Sequence, residues 1–234
     1  MGKAGEAKAR LEPLLKDHGS RALWELWLAI SLVDLKSSPG ELLNALPPSP
    51  EKPRSHDSGP QASRVEDVRW LLGALSRSEP LRIRSGGGDW KSPAGVSWSR
   101  DRFYTAGQLF GNGQGRFEGE IQETDDDPIY QTERHFQSLA TDQPGYSVPL
   151  PPGRYRLTLH FAEIFHRSPG ERVFDILLEG QTVLEAFEPG AVGFATGVKK
   201  SFEVEVKDGF IEIGFRGRVG HPKVSAIEIE PIAP

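Results

Sequence analysis

The sequence predicts an antiparallel β-sandwich preceded by a helical segment, on three observations. From Leu81 onward apolar residues recur with a period of two, as in strands with one buried and one wet face. Before Leu81 they recur with the period of a helix, and a stretch rich in proline and serine, Pro47 to Ser63, interrupts that helical pattern. No helical pattern separates the later strands, which argues against a parallel sheet with crossover helices. The chain therefore divides into a helical segment over 1–46, a linker over 47–63, a lead-in helix over 64–79 and a sandwich over 80–234.

Taken in order, Glu6 to Leu15 favours a helix. Arg21 to Leu35 is a second and more apolar one, carrying Leu23, Trp24, Trp27, Leu28, Ile30 and Leu32. At about 15 residues it is shorter than the roughly 20 needed to cross a bilayer. Two roles stand open for it: a core helix, or a docking or self-association helix with Trp24 and Trp27 as exposed anchors. Ser38 to Leu46 predicts a third helix, with Ser38 at the N-cap, Pro39 at the first helical position and Glu41 in the first turn. Pro47 to Ser63 reads as a linker, because it has too little apolar surface to offset the entropy of ordering. Ser63 to Leu75 then predicts an amphipathic helix, with a capping box from Ser63 to Glu66 and Val65, Val68, Leu71, Leu72 and Leu75 on one face.

The strand region is clearest at Tyr155, Leu157, Leu159 and Phe161, which alternate with Arg154, Arg156, Thr158 and His160. Phe202, Val204 and Val206 alternate with charged residues in the same way. Asp208-Gly209 has the composition of a two-residue hairpin turn, with Ile211, Ile213 and Phe215 continuing the pattern beyond it. Pro151-Pro152-Gly153 and Glu179-Gly180 punctuate other strand junctions. The Gly86-Gly87-Gly88 run lacks the spacing of a phosphate or dinucleotide loop and is assigned structural work.

Composition limits function. The formal net charge of -5 lies beyond residue 79, because residues 1–79 balance 11 basic against 11 acidic side chains. No Lys/Arg block marks a nucleic-acid surface. With no cysteine there is neither a disulfide nor a thiol nucleophile. Met1 to Arg10 shows no apolar core of a secretory signal, so a cytoplasmic setting is expected. Asp125, Asp126, Asp127, Glu133 and Arg134 form the densest charged stretch. Read as a carboxylate pair or calcium ligands they would need a cleft between them; read as turn caps and ion pairs they need only neighbours, and this second reading is preferred. No catalytic residue, resident metal or cofactor is expected.

Four stretches together carry a resemblance: Thr-Asp-Asp-Asp-Pro-Ile-Tyr-Gln-Thr-Glu-Arg at Thr124–Arg134, Leu-Thr-Leu-His-Phe-Ala-Glu at Leu157–Glu163, Arg-Val-Phe-Asp at Arg172–Asp175, and Val-Ser-Ala-Ile-Glu-Ile at Val224–Ile229. In this order they resemble the malectin and malectin-like family of carbohydrate-binding domains, over about Leu81 to Ile232. The resemblance implies a jelly-roll-like sandwich of the galactose-binding type and a non-enzymatic sugar site on its loops. In the family, aromatic side chains stacking on glucose occupy positions that fall here at His135, Phe165 and His166. An earlier loop tyrosine has no counterpart in Phe110 to Phe117, where Asn112 offers hydrogen bonds instead. The family's acidic position falls at Gly220, with His221 next to it. The expected ligand residues are therefore His135, Phe165, His166, Asn112 and His221, and the expected ligand is an oligosaccharide, glucose-containing by analogy. Three imidazoles on converging loops also raise metal binding, and exposed loop histidines are preferred to it. Glu163, Arg172 and Asp175 are expected to pair with basic or acidic neighbours such as Arg134, because an unpaired buried charge is costly. The alternative function is an adaptor that oligomerises or docks through Trp24 and Trp27, with the sandwich as scaffold.

Overall fold

The computed structural model describes residues 10, 21–33, 37–46, 64–109, 116–137 and 144–233. Helices α1 (Arg21–Val33), α2 (Pro39–Ala45) and α3 (Arg64–Ser76) come first. The strands follow as β1 (Leu81–Arg84), β2 (Trp90–Lys91), β3 (Ser97–Trp98), β4 (Gln108–Leu109), β5 (Arg134–His135), β6 (Gly145–Pro149) and β7 (Gly153–Phe161), then β8 (Val173–Leu178), β9 (Gln181–Phe187), β10 (Val198–Val206), β11 (Phe210–Val219), β12 (Lys223–Val224) and β13 (Ala226–Pro231). The expected linker over 47–63 and the capping role of Ser63 lie outside the described residues, as does nearly all of the helix expected at Glu6–Leu15.

One sheet has the order β1-β13-β7-β10 and the other β6-β11-β8-β9, with antiparallel neighbours throughout. The period of two explains the core between them. Leu157, Leu159 and Phe161 of β7 face inward beside Ile227 and Ile229, and the second sheet answers with Phe174, Ile176, Ile211, Ile213 and Phe215. Each such side chain contributes about 1.5–3 kcal/mol when fully buried. Phe136 and Phe215 stack at 5.0 Å, and Phe161 meets Phe187 edge-on at 4.9 Å.

Asp208-Gly209 does not make the expected hairpin. β10 and β11 lie in different sheets, so residues 207–209 cross from one layer to the other. The two-residue turn with left-handed backbone at both positions occurs instead at Glu179-Gly180, φ 50° and 72°, between Leu178 and its partner Gln181. Composition identified both turns, but the sheet to which the outgoing strand belongs is a tertiary matter.

The helices close one end of the sandwich. Ser38 accepts from the Glu41 N–H while the Glu41 carboxylate accepts from the Ser38 N–H, completing a capping box with Pro39 at the start of α2. Leu28 and Leu32 of α1, Leu42 and Leu46 at α2, and Val68, Leu71 and Leu72 of α3 join the main core cluster together with Leu81, Leu150 and Tyr155. A Cβ at Gly209 would lie 2.9 Å from Val33 and 3.1 Å from Ala29, so α1 sits directly on the 207–209 crossover. Asp67 of α3 meets Arg102 at 2.5 Å and Arg100 at 3.1 Å, fixing that helix to the sandwich flank. Trp27 is buried in this core and is not an exposed anchor; the Trp24 side chain lies outside the described part of α1. An apolar stripe lying across the open end of a sandwich is better satisfied there than in water.

A second, smaller apolar cluster covers the outer face of the first sheet. Trp98, Ile121, Ile129 and Tyr130 fold down on Ala162, Ala195 and Ala226. The stretch Thr124–Arg134 directs this layer, and its acids cap loops as expected: Asp126 accepts from Trp90 Nε1 at 2.8 Å, and Asp127 accepts from the Ile121 N–H at 3.2 Å. In the glycine run, the Gly86 N–H donates to Asp101, and a side chain at Gly86 would collide with the Glu133 backbone.

Candidate functional site

The end of the sandwich opposite the helices carries the loops after β7 and β11, with the short sheet β12-β5-β4 beside them. His135 lies on β5, paired with Lys223 of β12 and Gln108 of β4. This places it against His221, with ring centroids 6.0 Å apart and planes 25° from parallel. Phe165 and His166 follow β7 and meet edge-on at 4.9 Å. Phe165 is 65% exposed, the most exposed of the large apolar side chains among the described residues. Asn112 lies outside the described residues.

The two aromatic pairs are joined by a buried charge network. Glu163 Oε1 accepts from the Phe165 and His166 N–H groups at 2.9 and 3.0 Å, so one carboxylate shapes the loop that presents both rings. Its Oε2 accepts from Arg172 Nε at 2.6 Å, and Arg172 Nη1 donates to the His221 carbonyl. Lys223, fully buried, donates through Nζ to Glu133 and to the Ala162 carbonyl. The expected pairing of Glu163 with Arg134 is thus corrected: Arg134 instead binds Asp101 at 2.7 Å and lies 3.6 Å over the Tyr104 ring. Asp175 pairs with Arg216 and Arg218 on the outer face of the second sheet, at 2.8 and 2.5 Å. Strand parity decides these partners, because residues on opposite faces cannot meet.

Electrostatics follow from the network. Burial alone would raise the Glu163 carboxyl, but Lys223, Arg172 and the His166 N–H outweigh it and hold it below the usual carboxylate range. Burial lowers the His135 imidazole; Glu133 opposes this, while Arg172, His221 and Arg134 reinforce it, and the ring stays below the ordinary imidazole value. Among the described residues no group of three His, Asp, Glu or Cys side chains could hold a metal ion, so His135, His166 and His221 do not assemble as a triad of ligands. Buried charges in pairs, an exposed aromatic and imidazoles at the surface suit recognition of a polar ring with one apolar face.

Sequence reasoning reached the aromatic positions but missed the joints of the network, Glu133 to Lys223 and Arg172 to His221. The available signal was a lysine inside the apolar run Lys223-Val224-Ser225-Ala226-Ile227, where full burial demands an acidic partner.

Comparison with known proteins agrees with this fold. A probable leucine-rich-repeat receptor-like serine/threonine-protein kinase of Arabidopsis thaliana is 36% identical over 105 residues, 37% of this chain and 10% of the relative. Malectin-A of Xenopus laevis is 32% identical over 93 residues, 38% of this chain and 32% of the relative. The chain thus matches about a third or less of the length of these relatives. A β-glucuronidase of Bacteroides uniformis superposes with a TM-score of 0.57 at 25% identity, covering 67% of this chain and 18% of that one. The malectin domain model matches residues 80–227, a span that runs from the start of β1 into the start of β13 and holds every described loop of the site, and the chain belongs to the malectin domain family.

Proposed function

We propose that this chain is a non-enzymatic carbohydrate-binding module whose site is the loop end presenting His135, Phe165, His166 and His221, with Asn112 as a further contact. The observation that carries this reading is Phe165: an aromatic face left 65% exposed on a loop held from beneath by a buried carboxylate. A flat apolar face matches the apolar face of a pyranose, and neighbouring imidazoles reach its hydroxyls. The carboxylates of this end are held in ion pairs and backbone hydrogen bonds, which suits binding rather than acid-base turnover. The resemblance of the loop positions to the sugar-stacking positions of the malectin family makes glucose-containing oligosaccharides the first ligands to test.

The test is a glycan array probed with the full chain and with Phe165→Ala and His135→Ala. Specific binding weakened about tenfold or more by either change, a loss of roughly 1.4 kcal/mol, is the expected result. A blank array from folded protein overturns the reading.

A second reading, an adaptor working through its helices, is favoured by a groove of about 760 Å³ between α2 and α3, lined by Leu43, Leu46, Trp70 and Gly73 with Arg69 and Arg77 beside them. Light scattering of the full chain against Trp70→Ala tests it; a monomer in both removes self-association through this groove. A cytoplasmic setting is proposed from the cysteine-free composition. Recovery of the protein in a secreted or membrane fraction would overturn it.

A further inference from the structure

Resting on the carbohydrate-binding reading, we infer that Arg172 is a positioning residue of this site: its one guanidinium locks the loop of Phe165 and His166 to the loop of His221, so that the rings are presented as a unit. The short ladders at this end leave the task to side chains. Glu163 turns the first loop, its Oε1 taking the N–H groups of Phe165 and His166. His221 stands between the end of β11, where the register shifts between Gly217 and Val219, and β12, which is two residues long. Arg172 reaches both loops. Its Nε donates to Glu163 Oε2 at 2.6 Å, and its Nη1 donates to the His221 carbonyl.

The backbone and His135 are drawn into the same joint. A Cβ at Gly220, φ 63°, would stand 2.6 Å from the Glu171 carbonyl oxygen and 3.6 Å from Arg172 Cα, so the chain leading to His221 runs directly against residues 171–172. The Phe136 N–H donates to the Pro222 carbonyl at 2.8 Å, His135 pairs with Lys223, and the His135 ring faces that of His221. Residue type makes the assignment specific. A guanidinium is a planar fork, and its Nε and Nη1 bonds together set the distance and angle between the Glu163 carboxylate and the His221 carbonyl. A lysine ammonium keeps the charge but is a single point, and it leaves one of those two acceptors without its donor. Arg172 is 5% exposed, so water is poorly placed to replace the lost bond. Arg172→Lys therefore separates position from charge.

The full chain is compared with its Arg172→Lys, Glu163→Gln and Leu28→Ala variants. Affinity for gluco-oligosaccharides, in both α-1,4 and β-1,4 linkage, is measured calorimetrically below the melting transition, and the amides of Phe165 and His166 and the imidazole of His221 are followed by NMR. Arg172→Lys is expected to weaken binding about tenfold and to displace the signals of both loops. Leu28→Ala removes core packing at the helical end and is expected to keep native affinity and native loop signals, so lost stability alone does not mimic the result. Glu163→Gln keeps an acceptor for the two N–H groups, and among the described residues Glu163 has no hydrogen bond or ion pair with residue 221. It is expected to displace the His221 imidazole through Arg172, and it carries the test if Arg172→Lys does not fold. Native affinity in Arg172→Lys, or displacement confined to one loop, would overturn the inference, as would an unmoved His221 signal in Glu163→Gln. Failure of the unaltered chain to bind any of these oligomers counts against the carbohydrate-binding reading, and the NMR signals then decide the role of Arg172 by themselves.

Discussion

Two buried residues decide most at the smallest scale. Glu163 is held ionised by Lys223 and Arg172, and its loss would take from buried Arg172 its nearest carboxylate and leave Glu133 alone to balance both cations. Glu163→Ala is expected to lower stability by about 3–5 kcal/mol, the usual cost of breaking a buried ion pair from one side. An unchanged melting temperature would show the network to be dispensable. His160 is the second. It sits under Trp98 at 5.3 Å, with Nδ1 3.0 Å from the Tyr130 hydroxyl, and burial pushes its imidazole down to about 3, Lys199 and Arg82 adding to the shift. Because the folded value lies below the unfolded one of about 6.5, the unfolded state binds the extra proton. Stability from this group is complete above pH 6.5 and is lost as pH falls toward 3. Between pH 7.5 and 5 the loss is about 2 kcal/mol. Urea unfolding at the two pH values measures it, and His160→Gln is expected to flatten the difference.

At the level of elements, α1 does the work of a core strand's neighbour rather than that of a free appendage. Leu28 is fully buried among core residues, and Gly209 leaves room for the helix backbone to approach. Leu28→Ala is expected to cost about 2–5 kcal/mol in denaturant unfolding of the full chain, as for other large-to-small core changes. A change within a few tenths of a kcal/mol would mean that α1 is not packed on the sandwich. β10 shows how an edge is protected. It is the last strand of its sheet, nine residues long, and Lys199, Glu203 and Glu205 point away from the core. Lys200, on the inward row, lies 5.4 Å over the Phe187 ring. An inward lysine and alternating surface charges discourage pairing with another chain.

The whole molecule is a sandwich closed at one end by helices and open at the other, where its loops carry the proposed site. Deleting residues 1–46 would uncover Leu81, Leu150 and Tyr155 at the closed end. The shortened chain is expected to bind a hydrophobic dye and to melt at lower temperature than the full chain, while a chain equally stable and dye-silent would show the cap to be ornamental to folding. Much of this was legible in the sequence. The two periods separated helices from strands, and Ser38-Pro39 with Glu41 fixed the start of α2, because each is a local preference written in neighbouring residues. The positions of His135, Phe165 and His166 were legible through the resemblance. What remained hidden was non-local. Whether Asp208-Gly209 turns within a sheet or between sheets depends on where β11 finds partners 61 to 69 residues away by sequence, at β6. Whether Trp27 is an anchor or core depends on what covers it. Which acid neutralises Lys223 depends on two strands meeting, with Glu133 lying 90 residues distant. Sequence determined the elements and the residue types at the site, since periodicity and turn chemistry act over a few residues; tertiary structure alone decided the partners of the buried charges, since desolvation is felt only once distant segments close around them.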